Sequence, residues 1–396
     1  MTEAKSMSLV GHNDLNGRGD GMHINVVNGY AFVGHQGHTD VGTSILDVSN
    51  PENPKVVAQI PRPDGAHSHK VQVVGDVMVV NHEKNFFAKA APSSWSSGLA
   101  IYDVSKAAEP RQIGFFETPG NGVHRMTYWE EPYVFMSATA DGFINKILRI
   151  LDLSDPSQPK EIGRWWYPGQ NEAGGEPLTW VPARQRPPAP GEEQWVLHHG
   201  LPRGDRLYCG YWDAGVIILD ISDIEKPSMI SRLTLDSNSS ETHTAMPVPG
   251  RDLLVVTDEA VSRKLTLMKH TRVIDISDEA NPKEIAKFPV VAGNLGEKGI
   301  RFGPHNLHEP RPGSYIDSNT VYLTYFAGGL RAYDISDPTN PTEIAYFVPD
   351  TPYRLPDSPK YSLEAPMFND VHVAADGMIY VTDRHGGGLY IVEHTR

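Results

Sequence analysis

One phrase recurs along this chain and limits its fold more than any other feature. It reads "ILDVSNPENPKVVAQI" at 45–60, "IYDVSKAAEPRQIGFF" at 101–116 and "ILDLSDPSQPKEIGRW" at 150–165. It returns as "ILDISDIEKPSMISRL" at 218–233, "VIDISDEANPKEIAKF" at 273–288 and "AYDISDPTNPTEIAYF" at 332–347, with a degenerate seventh copy in "YIVEHTR". The aligned acids are Asp47, Asp103, Asp152, Asp220, Asp275, Asp334 and Glu393. They are spaced by roughly 50 to 70 residues, the range of propeller blades rather than of helical hairpins. Each unit reads as four short strands; the first gives "HINVVN", a turn at "NG", "YAFVGHQ", "TSILDVS", a Pro-rich turn and "KVVAQIP". β-branched residues and period-two alternation mark each as strand.

Seven such units predict an all-β fold, a seven-bladed β-propeller. Length alone would suggest two or three domains, but the repeat predicts a single domain over 1–396. The last unit stops after three strands. The N-terminal "SMSLVGHN" carries an "LVG" that mimics the "EIG" of the fourth strands, so Ser6–His12 is predicted to close the last blade and remove its exposed edge. The "DVS/DIS" phrase followed by "P" and a final strand resembles the LVIVD-repeat family over essentially the whole chain, and the resemblance implies the same propeller.

The A–B and C–D turns are short and uniform, so the face they share is expected to be scaffold. The insertions lie on the other face: 84–98, 168–194, 293–303 and 351–369. Long structureless connections usually serve as lids or binding loops, and 168–194 is expected to act as a lid. Histidines gather at the same mouth, where inner strands begin with His23, His69, His124, His199, His243, His305 or His308, and His372. Their neighbours vary from blade to blade ("HINVV", "HKVQV", "HRMTY", "HTAMP") while the His recurs. Imidazoles converging on an axis suit a transition metal, Fe, Cu, Mn or Zn, with carboxylates behind them fixing their tautomers.

The expected ligands are His69, His124, His243, His305 and His372, with Glu83 or Glu241 supporting them. "GPHNLHEPR" at 303–311 begins the sixth inner strand, so His305 is expected to face the axis, while His308, like His199, is a candidate base or further ligand. Arg301, Arg384 and Arg125 are candidates to grip an anionic substrate, with Tyr211 and Trp212 as an apolar wall. The competing reading is a histidine copied by blade duplication and lining a solvent channel.

A formal charge of −14 argues against a nucleic-acid or anionic-membrane partner and leaves small molecules or proteins. A lone cysteine, Cys209, excludes an intrachain disulfide, and no apolar run suits an export signal or membrane span. A cytoplasmic protein is the expectation. No GxSxG, HExxH, P-loop or dinucleotide fingerprint occurs. His-rich propeller centres resemble, in architecture only, those of carotenoid-cleaving oxygenases and of the methanethiol oxidases related to selenium-binding proteins. Metal-dependent oxidation of a small polar or anionic molecule is therefore expected slightly ahead of a metallohydrolase or lyase, with a non-catalytic binding propeller as the third class.

Overall fold

The computed structural model describes residues 2–85, 95–183, 189, 191–235, 241–261, 269–289, 291, 301–350 and 366–395. Of the expected covering loops, 86–94, 184–188, 190, 293–300 and 351–365 lie outside the described residues. Among the described residues there is no helix, and none long and apolar enough to cross a membrane.

The strands form seven antiparallel sheets, one per repeat, arranged as a seven-bladed β-propeller. Blade 1 runs from its inner strand Gly21–Val27 through Tyr30–His35 and Val41–Asp47 to the outer Lys55–Pro61. The inner strand of blade 2 is broken into Ala66–His67 and Val71–Val74, and those of blades 3, 4, 5 and 7 are Val123–Thr127, His199–Arg203, Thr242–Pro247 and Phe368–Val373. Blade 6 departs from the expected pattern. Pro304 and Pro310 remove two backbone donors around residues 305–308, and the segment keeps only the bridge Leu307↔Leu323 and single bonds such as His305 N to Thr324 O (2.9 Å). Its outer edge is extended instead, by Glu3–Lys5 pairing with Thr342–Val348.

The N-terminal strand Met7–Asn13 pairs with Gly388–His394 and supplies the fourth strand of blade 7, as the "LVG" motif predicts. Ser8 lies opposite Glu393 and donates to it at 2.7 Å, replacing the Asp–Ser turn of the other blades. The glycine of that motif has a steric cause. A Cβ at Gly11 would strike the Pro51 carbonyl of blade 1, as one at Gly114 would strike Pro156 and one at Gly163 would strike Ile224. In these three blades the outer strand thus presses its backbone against the C–D turn of the next blade.

The apolar core follows from the alternation. It is divided into seven clusters, one at each seam between blades. Between blades 2 and 3, for example, Val79, Leu99 and Ile101 meet Val123, Met126 and Met136, all fully or almost fully buried. Each such side chain contributes about 1.5–3 kcal/mol of burial. This leaves the axis to polar groups, because the seams hold the ring together without it.

Candidate metal centre

The inner strands of blades 1, 3, 5 and 7 share a defect at their first residues. The ladder skips one residue between Gly21 and His23, Val123 and Arg125, Thr242 and Thr244, and Phe368 and Asp370. A β-bulge re-aims its unpaired residue, and the skipped residues are Met22, His124, His243 and Asn369. His124 and His243 therefore turn out of the ladder into the channel mouth. His23 and His372 are not their counterparts; Met22 and Asn369 are.

Six imidazoles form a continuous row at this mouth. Ring centroids are 4.1 Å apart for His67–His69, 5.2 Å for His69–His124, 4.8 Å for His124–His198, 3.9 Å for His198–His243 and 4.5 Å for His243–His305. Blades 3, 4, 5 and 6 each give one ring to the run His124–His198–His243–His305. A glycine permits one of these contacts: a Cβ on Gly210 would collide with the His243 carbonyl, which instead approaches to accept from His198.

Hydrogen-bond partners fix the tautomers, because a carbonyl or carboxylate oxygen can only accept. His198 donates Nδ1–H to the His243 carbonyl at 3.1 Å, and His305 to the Asn369 carbonyl at 2.7 Å. His124 donates to Glu83 at 2.8 Å, while His67 donates to the Gln36 carbonyl at 3.0 Å. The neutral rings of His124, His198 and His305 are left with a lone pair on Nε2, whereas His67 faces an acceptor at each nitrogen, the Gln36 carbonyl at Nδ1 and Glu83 at Nε2 (3.2 Å). His124 Nε2 and His198 Nε2 then face each other at 2.9 Å with no proton between them. His69 differs. Asn81, oriented by accepting from Lys70 N at 2.7 Å, gives its amide to His69 Nδ1 at 3.1 Å, so the remaining proton sits on Nε2, toward Glu83.

Two carboxylates flank the row. Glu83 touches His67 at 3.2 Å and His124 at 2.8 Å, and its other oxygen pairs with Lys146 at 2.8 Å. Glu259 lies 3.9 Å from His243 Nε2 and 3.6 Å from His305 Nε2, and is held by Arg301. Potential donor atoms converge within 4.8 Å in two sets, His67–His69–Glu83 and His198–His243–Glu259. Burial raises both carboxyls, but His124 and Lys146 around Glu83, and Arg301 and His305 around Glu259, outweigh it and hold both well below the usual range. Burial lowers His124 to about 4 and His198, His243 and His305 well below the ordinary imidazole value. The rings are neutral, the form that binds metals.

Of the residues singled out from sequence, His69, His124, His243, His305 and Glu83 are brought together here. His198, Glu259 and His67, at the same mouth in the sequence but outside the expected ligand set, also belong here. In the "HH" pair the sequence reading favoured His199, yet adjacent strand residues point to opposite sides. His199 faces the channel interior, where its Nε2 meets Thr127 at 3.0 Å and Glu309 at 3.6 Å. Arg125 lies there too, 1% exposed, bonded to Asn306 and Glu309 at 2.7 Å each. Lys70 shares that interior, where burial and the nearby Arg125 lower its ammonium to about 7. His308 accepts from Val373 N at 3.1 Å and donates to the Tyr315 carbonyl at 2.9 Å, so its ring is spent on the backbone. His372 bonds Arg311 at 2.9 Å, away from the row.

Glu241 pairs with Lys269 at 3.2 Å rather than with an imidazole of the row. Tyr211 packs in the blade 3–4 seam with Trp165 and donates to Gln170. Trp212 stacks toward His198, centroids 6.3 Å apart. Arg384 bonds Asn369 Oδ1 at 3.0 Å and approaches Met22 Sδ at 3.7 Å, so it spans the two blades whose bulges carry no His. Phe326 lies between Arg301 and Arg384, its centroid 4.2 and 5.3 Å from their guanidinium carbons.

A second constellation has the order of a hydrolase triad. Asp20 faces His35 Nδ1 at 2.7 Å, and His35 Nε2 faces Ser44 at 2.8 Å. All three are 0% exposed and Gln59 donates to the serine. It ties the strands of blade 1 together and is closed to substrate.

Four segments match the LVIVD repeat model, residues 18–60, 142–166, 203–234 and 317–347. No curated protein matches the sequence. Similar solved structures include the β-propeller domain of Myceliophteria thermophila Cps50 (Swd1), 11% identical with a TM-score of 0.54 over 95% of this chain and 96% of that one. The computationally designed Ika8 protein is 9% identical with a TM-score of 0.50, covering 97% and 98%. At these identities the likeness extends to the fold alone.

Proposed function

For a chain whose LVIVD repeats close into a seven-bladed β-propeller, we propose that the mouth binds a transition-metal ion. The proposed ligands are His124, His198, His243 and His305, with Glu259 within reach. The observation that carries this reading is the pair of Nε2 lone pairs facing each other between His124 and His198 at 2.9 Å. Two like lone pairs at that distance repel unless a cation joins them. Two nitrogens bound at right angles to one ion, each at about 2.0–2.1 Å, stand about 2.9 Å apart. Each proposed ligand also has its Nδ1 anchored, to Glu83, the His243 carbonyl, Thr244 (2.8 Å) or the Asn369 carbonyl, the support that metal-binding histidines usually have.

The proposed activity is oxidation of a small polar or anionic molecule. Nitrogen-rich ligand sets suit iron or copper, which supply electron transfer with dioxygen when bound. Glu83 holds His124 in the tautomer that presents Nε2, and Lys146 keeps Glu83 ionised. Arg384, next to His305 through Asn369 and Phe326, is the residue we assign to orient a carboxylate or similar group, while Trp212 and Phe326 offer apolar walls. Arg301 acts through Glu259 rather than on substrate.

The test is metal analysis of protein purified without a histidine tag, followed by oxygen uptake over a panel of small organic acids. About one ion of iron or copper per chain and substrate-dependent oxygen uptake are expected. Protein that takes up no metal, with His124 and His198 sharing a proton, would overturn the reading. Bound zinc with turnover undiminished under nitrogen would transfer the site to hydrolysis or lyase chemistry, which the same imidazoles also serve.

A further inference from the structure

The segment "GPHNLHEPR" spans the channel. His305 stands in the imidazole row, Asn306 and Glu309 bind Arg125 in the interior, and Arg311 emerges at the opposite end. There it lines a cavity of about 430 Å³ with His372, Tyr128 and Trp129, between the A–B turns of blades 1, 2, 3 and 7.

Arg311 is 8% exposed, and no carboxylate lies within 4.0 Å of its guanidinium among the described residues. Nη2 donates to His372 Nδ1 at 2.9 Å, which leaves the His372 proton on Nε2. Arg311 Nε and Nη1, His372 Nε2, the Tyr128 hydroxyl and the Trp129 indole nitrogen are all buried without a hydrogen-bond partner. Four of these five atoms can only donate, and the hydroxyl can also donate. A buried cation and a set of unmet donors, on residues that line one cavity, are costly to leave unanswered. Such a set calls for an anion with more than one acceptor oxygen. Val26, Val74, Met378 and Tyr380 give the cavity an apolar wall beside the polar Asn25, Asn28 and Ser49, and the one carboxylate lining it, Asp376, is exposed at its rim and accepts from Met378 N at 3.0 Å.

We propose that this cavity binds a small organic carboxylate, its oxygens on Arg311, His372 and Tyr128 and its apolar body against Trp129. The site lies at the far end of the channel from the imidazole row, so it stands whether or not that row holds a metal. The sequence places only short turns on this face, which is why it reads there as scaffold.

The test is calorimetric titration of chelator-treated full-length protein with benzoate, and separately with sulfate, with tryptophan fluorescence as a second signal. Saturable benzoate binding is expected, weakened about ten- to hundredfold in Arg311→Met. In case that variant does not fold, Tyr128→Phe, which removes only one oxygen, is expected to weaken binding about threefold to tenfold. Benzoate affinity unchanged in either folded variant, no saturable binding to the wild type, or sulfate binding as tightly as benzoate would each overturn the proposal.

Discussion

His124 and His198, carried by neighbouring blades, face each other Nε2 to Nε2 across 2.9 Å while Glu83 and the His243 carbonyl hold the protons on their other nitrogens. The contact is unfavourable for two neutral rings and favourable for two ligands of one cation. The proposed ion would therefore sit on a seam between blades rather than within one sheet.

Adjacent histidines should therefore behave oppositely. His198→Ala is expected to remove most of the bound metal, whereas His199→Ala should leave metal content within error, because His199 turns toward Thr127 and Glu309. Elemental analysis of both folded variants decides it; equal loss in the two would refute the tautomer argument.

Glu83 is expected to act through His124 and not as a ligand. Glu83→Gln should keep the propeller folded and lower metal affinity about ten- to hundredfold, the usual effect of removing a carboxylate behind a ligating histidine. Competition with a chromophoric chelator measures this directly. An unchanged affinity would show that Glu83 merely neutralises Lys146.

Arg125 belongs to the stability of the channel. Removing one member of a buried pair costs about 3–5 kcal/mol, because the partner keeps an unpaired charge. Arg125→Met should lower the urea midpoint accordingly, and adding Glu309→Met should recover much of the loss. If the double variant is no more stable than the single one, the ion pair is not the source of the effect.

Acid should loosen the blades at their C–D turns. Asp47, Asp103, Asp152, Asp220 and Asp275 each accept from the serine two residues on, at 2.7–3.0 Å from its backbone nitrogen. Those bonds lower the carboxyls, Asp103 to about 2. A depressed folded value means the stabilisation is complete above the unfolded value of about 3.9 and is lost as pH falls through the folded one. The melting temperature should fall over that interval, and replacing all five with Asn should flatten the dependence.

The blade count and the closing strand were legible because each depends on a local pattern repeated seven times. Why a glycine stands at position 11 is given by the structure, where a Cβ would strike the Pro51 carbonyl. The imidazole row was legible in part. Counting from strand starts assigns His23 and His372 to it, but the bulges before Arg125 and Thr244 turn out His124 and His243, and the matching bulges hold Met22 and Asn369. A bulge has no fixed sequence mark, and it shifts the facing of everything before it by one. The same ambiguity decided between His198 and His199. Glu259 was hidden for another reason: its role depends on Arg301 and His305, which come to it from the next blade.

Ser8 and Glu393, joined at 2.7 Å, stand 385 positions apart. During synthesis the strand Met7–Asn13 is made long before its partner Gly388–His394. Through that interval this strand is an open β edge, free to pair with another chain, and the ring exists only as an arc. Folding therefore ends with a slow long-range closure, and crowding of nascent chains before that event, rather than weakness of the finished propeller, is the stage at which this protein is most exposed to misassembly.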